Sequence, residues 1–127
     1  MFKLVGIRDM RHQKSGRKFH RKKGQRKALF KGLLNNLITK EKILTTEAKA
    51  KEIRPRLEKL ISIAKKENLA SLRILLSRLP KKSGQKLYYE IAPRYKDIRG
   101  GYLRITKSLR SRKNDGAKMA IVEFVKE

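Results

Sequence analysis

Apolar residues recur at helical spacing in the first half of the chain. From Gly24 onward, one broad stripe consists of Leu29, Leu33, Leu37 and Ile38, with Phe30 and Leu34 beside it. Because residues three or four apart share one face of an α-helix, this stripe predicts an amphipathic helix. A second helix is predicted from about Thr46, a favoured N-cap residue. Its single apolar face consists of Ala50, Ile53, Leu57, Leu60, Ile61 and Ala64.

Proline residues mark the limits of the later helices and complicate the second one. An interior proline removes one helical hydrogen bond and clashes with the preceding turn, so Pro55 predicts a kink. The alternative is a break, with Pro55 in the first turn of a new helix. A third, leucine-rich helix is predicted over residues 69–79, followed by a linker at residues 81–84. A short fourth helix is predicted over residues 86–95 and is limited by Pro93.

After Gly100 and Gly101 the pattern changes to alternation of apolar and polar positions, which is typical of strands. Residues 102–125 predict a β-hairpin, because Asn114-Asp115-Gly116 is a strong turn sequence between the two alternating runs. A further short strand is predicted at residues 43–46. The predicted fold class is therefore α/β, of the α+β type, with helices packed on a small mixed sheet that includes the C-terminal hairpin.

The N-terminal segment has a different composition. Ten of the twenty residues 8–27 are Lys or Arg, Asp9 is the only acid among them, and no periodicity is present. Such a segment cannot bury enough apolar surface to offset the entropy of ordering its backbone. We predict a basic, extended arm at residues 1–23 that nucleic acid orders, followed by one globular domain at residues 24–127. The alternative is a solvated, non-specific tail.

Composition restricts the class of protein. The chain has 127 residues and a formal net charge of +25, which predicts a polyanionic partner. The absence of cysteine excludes disulfides and thiolate metal sites and fits a reducing compartment. No apolar run approaches the ~20 residues that span a bilayer. We therefore expect a soluble protein of the cytoplasm that does not bind membranes.

No pattern typical of an enzyme is present. The P-loop, GxGxxG and GxSxG patterns are absent, and His12 and His20 both lie in the basic segment, away from acidic clusters. The glutamates are spaced for helical ion pairs with Lys or Arg. We expect no catalytic residue, no metal, no cofactor and no small-molecule substrate.

Two basic surfaces are the candidate binding sites, because neutralising phosphates provides most of the affinity for nucleic acid. The first consists of Arg11, Lys14, Arg17, Lys18, Arg21, Lys22, Lys23, Arg26 and Lys27. The second consists of Arg94, Lys96, Arg99, Arg104, Arg110, Arg112 and Lys113. Tyrosines are interleaved with it and can stack on unpaired bases. We expect Tyr95 to stack on a base and assign Tyr88 to the core. Tyr102 can either stack on a base or lie on a sheet face.

RNA is favoured over DNA as the partner, because no helix-turn-helix, zinc finger or basic-zipper pattern occurs. An arm that folds on its target also suits irregular RNA. A nucleoid-type DNA-binding protein and a cationic membrane-active protein are the alternatives. The second is disfavoured because Glu47, Glu52 and Glu58 lie on the predicted 47–66 helix and weaken attraction to anionic lipid.

Several segments together resemble one known family. The segments are Met10-Arg-His-Gln-Lys-Ser-Gly-Arg-Lys-Phe19, Gln25-Arg-Lys-Ala-Leu29, Thr45-Thr-Glu-Ala-Lys-Ala-Lys-Glu-Ile-Arg-Pro55, Ile91-Ala-Pro-Arg-Tyr95, Gly100-Gly-Tyr-Leu-Arg-Ile105 and Met119-Ala-Ile-Val-Glu123. In this order they are similar to the bacterial large-subunit ribosomal protein seventeen family. The resemblance runs from Met10 to Val125 and implies a kinked but continuous helix at Pro55.

The resemblance also implies a function. It implies a structural constituent of the large ribosomal subunit that binds 23S-type rRNA and contacts neighbouring large-subunit proteins, on a cytoplasmic or alternatively an organellar ribosome. The residues that it implies as RNA contacts are Arg11, His12, Lys14, Ser15, Gly16, Arg17, Lys18, Arg94, Tyr95, Gly100, Gly101, Tyr102 and Arg104.

The sequence departs from the family pattern in three places. The family begins at the position of Met10, so residues 1–9 are an extension or reflect an upstream start codon. Gln13 and Phe19 replace residues that are more often Arg and Leu. The loop at residues 111–116 also differs in detail.

Overall fold

The computed structural model describes residues 16–126. Helices and strands alternate in the first third of this range, and the chain ends in a hairpin. The elements are α1 (Lys23–Lys40), β1 (Lys42–Thr46), α2 (Glu47–Ala64), α3 (Leu69–Arg78), α4 (Lys81–Lys86), a π-helical turn (Leu87–Ile91), a 3₁₀ turn (Ala92–Tyr95), β2 (Leu103–Ser111) and β3 (Lys118–Phe124).

Helix α2 is the centre of the core. The Thr46 side chain caps its first turn by accepting a hydrogen bond from the Lys49 backbone N–H across 3.4 Å. The helix continues through Pro55, which excludes the alternative of a break at this residue. Because Pro55 is exposed, water can reach the backbone carbonyl that loses its helical donor there. All six residues of the predicted apolar face are buried.

Helix α1 packs its apolar stripe against α2. Its buried residues are Phe30, Leu34, Leu37 and Ile38. Leu29 and Leu33 are only half-buried, so the stripe is centred one position later than the leucine spacing alone predicts. The helix ends at Glu41, whose backbone is left-handed (φ 63°) and whose N–H donates to the Leu37 carbonyl across 2.7 Å.

The predicted linker at residues 81–84 is wrong, because these residues begin a helical run that continues to Tyr95. Ser83 and Gly84 are buried against neighbouring helices. A Cβ on Gly84 would lie 3.2 Å from Leu76 Cδ2, and the Ser83 hydroxyl contacts the Asn35 side chain. This close packing stabilises a helical turn in a Lys-Lys-Ser-Gly sequence whose own propensity is low. The predicted helix at residues 86–95 is confirmed in position but is π-helical and then 3₁₀.

The sheet has three strands in the order β1-β3-β2, and both pairings are antiparallel. The prediction of a mixed sheet is therefore wrong, although the short first strand and the C-terminal hairpin are confirmed. Strand β3 is central and buries Ala120, Val122 and Phe124 against the helices. The hairpin register shifts between Lys107 and Ser111, where β2 extends toward the loop. The observed architecture confirms the α+β class, with one apolar cluster that contains residues from α1 through β3.

Candidate nucleic-acid interface

Residues 16–22 lie against the helices. The Arg17 guanidinium forms an ion pair with Glu52 across 2.9 Å, on the first half of α2. The Phe19 ring meets the Phe30 ring of α1 edge-on, with 5.8 Å between centroids. The guanidinium of Arg56, on α2, lies 4.1 Å from the centroid of the Phe30 ring. These contacts attach residues 17–19 to α1 and α2.

The backbone of this segment reverses in a turn before α1. Phe19 and His20 both have φ of 52°, a conformation that residues other than glycine adopt rarely. Three hydrogen bonds hold the turn. The Arg21 N–H donates to the Lys18 carbonyl, the Arg21 side chain donates to the Phe19 carbonyl, and the Arg26 side chain donates to the Arg21 carbonyl. Two arginines predicted as RNA contacts therefore also shape the turn.

The first basic surface lies on residues 16–22 and the first turns of α1. Arg11, His12, Lys14 and Ser15 lie outside the described residues. Gly16, Arg17, Lys18, Arg21, Lys22, Lys23 and Lys27 are exposed, and Arg26 is half-buried. Within residues 16–126, Lys18, Lys22, Lys23 and Lys27 form no ion pair with a carboxylate. Their charges are available to a partner.

The end of β2 carries Arg110 and the hairpin loop carries Arg112 and Lys113, and all three are exposed. Arg112 donates two hydrogen bonds to the Asp115 carboxylate, at 2.9 and 2.5 Å. Hydrogen bonding from Arg112 is the main cause that lowers the pKa of Asp115 far below its usual range, and a hydrogen bond from the Ala117 backbone N–H adds to this effect. The same pairing with Asp115 raises the pKa of Arg112. Both groups stay charged at neutral pH, and Arg112 is held in one orientation. Leu109, beside them, is fully exposed.

The loop between the 3₁₀ turn and β2 exposes Lys96, Arg99, Gly100 and Gly101. It is held by Lys65, at the end of α2, whose ammonium contacts the Ile98 carbonyl and donates to the Tyr102 hydroxyl across 2.9 Å. Gly101 has φ of 70°, which favours glycine at this position. The sequence did not single out Lys65, because a lysine at a helix end is ordinarily solvated.

Tyr95 and Tyr102 are core residues, which corrects the prediction that Tyr95 stacks on unpaired bases. They are 2% and 1% exposed, and their ring centroids lie 5.3 Å apart. The Tyr95 hydroxyl donates a hydrogen bond to the Val125 carbonyl across 2.7 Å. The ring therefore packs in the core while the hydroxyl group is hydrogen-bonded to the backbone. A buried ring offers no face to an unpaired base. Tyr88 is half-buried against the core, as predicted.

Arg94 lies apart from the hairpin loop, at the other end of the sheet. It donates two hydrogen bonds to the Glu41 carboxylate, at 2.9 and 3.1 Å, and Lys86 lies 3.4 Å from the same carboxylate. The Arg94 hydrogen bonds are the main cause that lowers the pKa of Glu41, and burial opposes them. The Lys86 ammonium also donates to the Thr39 carbonyl at the end of α1.

The predicted second surface is therefore divided in two. Arg104 pairs at 3.9 Å with Glu123, near the Arg94 end of the sheet. Arg110 is six residues farther along β2, which corresponds to roughly 20 Å of strand. We name Arg110, Arg112 and Lys113 the hairpin surface. Arg94 and Arg104 belong to a separate region that also includes lysines from α1, β1 and α4.

Neither a metal cluster nor a membrane-spanning helix is found in the described part of the chain. Within residues 16–126, no group of three or more His, Asp or Glu side chains is placed to hold a metal ion. In the same range, no helix has the length and apolar character needed to cross a bilayer.

Comparison with known proteins identifies relatives over nearly the whole chain. The family model described as Ribosomal protein L17 matches residues 29–125. A protein of Persephonella marina named Large ribosomal subunit protein bL17 is 50% identical over 118 residues, which cover 91% of this chain and 95% of the relative. Proteins of the same name from Pelobacter propionicus and Thermus thermophilus are 49% and 45% identical, covering 93% and 91% of this chain and 93% and 99% of the relatives. The family matches that implied by the sequence motifs and is not one of enzymes: the chain belongs to the ribosomal protein L17 family.

Proposed function

We propose that the chain is a structural constituent of the large ribosomal subunit of the cytoplasm, where it binds 23S-type rRNA and stabilises its fold during assembly and translation. The observation that carries this proposal is the similarity, over about nine-tenths of the chain, to proteins named as large ribosomal subunit proteins. Neighbouring ribosomal proteins are its further partners.

The distribution of charge supports RNA as the direct partner. The formal net charge is +25, and the ion pairs of the described residues involve only a minority of the 36 Lys and Arg residues. A chain with this excess repels itself unless a polyanion neutralises it. The first basic surface and the hairpin surface lie on different elements, so they can contact separate RNA segments and hold them together.

The architectural role follows from how these surfaces are held. Arg17, Arg21 and Arg112 are oriented by hydrogen bonds within the protein before any partner binds. Groups that are already ordered lose less entropy on binding than free side chains. A rigid protein with two such surfaces favours the RNA conformation in which both are occupied.

Sedimentation tests the location of the protein. Cell lysate is separated on sucrose gradients with and without high salt, and the protein is detected by immunoblot. We expect it in the large-subunit peak, and in part at the top of the gradient after the high-salt wash. Recovery free of subunits or with DNA at low salt would contradict a ribosomal role.

Binding to protein-free rRNA tests the two surfaces. We compare a variant with K18Q, K23Q and K27Q and a variant with R110Q, R112Q and K113Q by filter binding over a range of salt. The control carries K66Q, K81Q and K82Q, three exposed lysines outside both surfaces. Each lost phosphate contact should reduce the log–log salt slope by about 0.7–0.9. Slopes equal to that of the control would mean that these surfaces do not contact the RNA.

A further inference from the structure

A groove of about 680 Å³ lies where the end of α1 and the start of β1 meet the end of β3. Five cations line it together with two carboxylates, which leaves an excess of three positive charges. The cations come from four different parts of the chain: Lys40 and Lys42, Lys86, Arg94, and Lys126. Four of these five lie outside both basic surfaces predicted from the sequence.

The cations of the groove divide by their partners. Arg94 and Lys86 both contact the Glu41 carboxylate, and Lys42 lies 3.7 Å from Glu123. Lys40 and Lys126 are exposed and form no ion pair with a carboxylate within residues 16–126. Two of the three excess charges therefore lie on Lys40 and Lys126, and the third is shared by Arg94, Lys86 and their common partner Glu41.

The floor of the groove is rigid. The Tyr95 and Phe124 rings are stacked with 6.4 Å between centroids, and the Tyr95 hydroxyl donates to the Val125 carbonyl. The Phe124 N–H donates to the Glu41 carbonyl across 3.2 Å. Glu41 occupies the left-handed conformation that usually favours glycine, and its carboxylate is held by Arg94.

We propose that this groove binds a phosphodiester of the RNA, with Lys40 and Lys126 as the contacting cations. The proposal rests on the proposed function, since it requires that the chain binds rRNA. Glu41 is the shared partner of Arg94 and Lys86 and repels a second anion, which directs the phosphate to Lys40 and Lys126. The volume lies in the range of pockets that accept a small ligand, so a backbone segment of about one nucleotide fits.

The charge of the groove favours an anion over an apolar ligand. Lysine ammoniums are point charges that bind phosphate oxygens without the paired geometry that carboxylates and guanidiniums share. The end of α1 opposes anions through its dipole, but the Lys86 ammonium donates to the Thr39 carbonyl there and offsets it. An acidic segment of a neighbouring protein is the competing occupant.

A pair of matched double variants tests the contribution of the groove. K40Q/K126Q removes two charges from it, and K81Q/K82Q removes two exposed charges from the start of α4. Filter binding of the full chain to protein-free rRNA is measured over a range of salt, after circular dichroism confirms equal melting. We expect K40Q/K126Q alone to reduce the log–log salt slope by about 1.4–1.8. Equal slopes for the two variants would overturn the proposal.

Lysine acetylation followed by mass spectrometry identifies the occupant. Lys40 and Lys126 should be protected in the complex with protein-free rRNA, whereas Lys81 and Lys82 stay reactive. Protection only in the intact large subunit would show a protein occupant and overturn the proposal, as would the absence of protection in both. A chain that binds rRNA but leaves the groove reactive refutes only this inference, while a chain that does not bind rRNA refutes the proposed function as well.

Discussion

The Lys65 ammonium donates a hydrogen bond to the Tyr102 hydroxyl across 2.9 Å and lies 5.0 Å from the centroid of its ring. The same ammonium contacts the Ile98 carbonyl, which also accepts a hydrogen bond from the Tyr102 hydroxyl. One lysine at the end of α2 therefore joins both ends of the loop that exposes Arg99. The conformation of this loop depends on a residue outside it.

Replacing Lys65 by methionine should loosen this loop. The substitution keeps much of the apolar stem but removes both hydrogen bonds, so we expect a loss of about 1–3 kcal/mol in the free energy of unfolding, measured with urea. Amide exchange of residues 98–102 should accelerate. Lys66→Met, at an exposed neighbour, is the control. Equal stability of the two variants would mean that the Lys65 contacts contribute nothing net.

Replacing Phe19 by alanine should release residues 16–22 from α1. The edge-on contact with Phe30 contributes about 0.5–1.5 kcal/mol beyond the area that it buries. We expect faster tryptic cleavage after Arg17, Lys18 and Arg21, with a smaller change in the melting of the core. Phe19→Leu keeps an apolar contact and should be cleaved more slowly than the alanine variant. Cleavage at the wild-type rate in Phe19→Ala would mean that Phe19 does not hold the segment.

Periodicity was sufficient to predict the helices and strands whose apolar positions face one core. Ala50 through Ala64 repeat at helical spacing and are buried as predicted, and the turn at Asn114-Asp115-Gly116 separates the two hairpin strands. Residues 81–84 were missed because helix formation there depends on contacts with α3 and α1, which local propensity does not contain. The direction of β1 relative to β3 is likewise a tertiary property.

The candidate site was only partly accessible to sequence reasoning. A run of cations such as residues 17–27 can be recognised in the sequence itself. The groove, in contrast, combines Lys40, Lys86 and Lys126, which come from distant segments of the chain. A base-stacking role was predicted for Tyr95 because it lies next to Arg94 in the sequence. A tyrosine beside an arginine can belong either to the core or to a binding surface, and the sequence alone does not distinguish the two. Its burial depends on the end of β3, about thirty residues later in the chain. The backbone carbonyl of Val125, directly after that strand, accepts a hydrogen bond from the Tyr95 hydroxyl.

The Glu41 ion pairs should make stability depend on pH in the acidic range. Hydrogen bonds from Arg94 lower the pKa of Glu41 in the folded protein from the ordinary value of 4.5. A lowered pKa means that the stabilisation is fully present above pH 4.5 and is lost as the pH falls through the lower, folded-state value. Because Arg94 is nearly half exposed, solvent screening limits the contribution to about 1 kcal/mol or less.

Glu41→Gln tests this prediction, since the amide resembles a carboxyl that stays uncharged. We expect the wild-type protein to be more stable than the variant near neutral pH and the difference to vanish under strongly acidic conditions, in urea titrations at a series of pH values. Asp97→Asn, at an exposed carboxylate outside this cluster, is the control. A difference that stays constant with pH would show that the charge of Glu41 is not the cause.

Replacing Asp115 by alanine should disorder Arg112 without disrupting the sheet. The carboxylate holds the guanidinium at 2.9 and 2.5 Å and also accepts a hydrogen bond from the Ala117 N–H across 3.1 Å. We expect faster amide exchange at Ala117 and faster motion of the Arg112 Nε–H in ¹⁵N relaxation. The melting temperature should change little, because both side chains are exposed.

The same substitution separates orientation from charge in RNA binding. Asp115→Ala and Asp97→Ala each remove one exposed carboxylate and raise the net charge equally, so both gain the same long-range attraction. Only in Asp115→Ala does the Arg112 side chain lose its fixed orientation, so that it must become ordered when RNA binds. This entropy cost should weaken the affinity of Asp115→Ala for rRNA by about two- to tenfold relative to Asp97→Ala. Equal affinities of the two variants at several salt concentrations would show that the fixed orientation of Arg112 has no role, and that the hairpin surface acts through its charge alone.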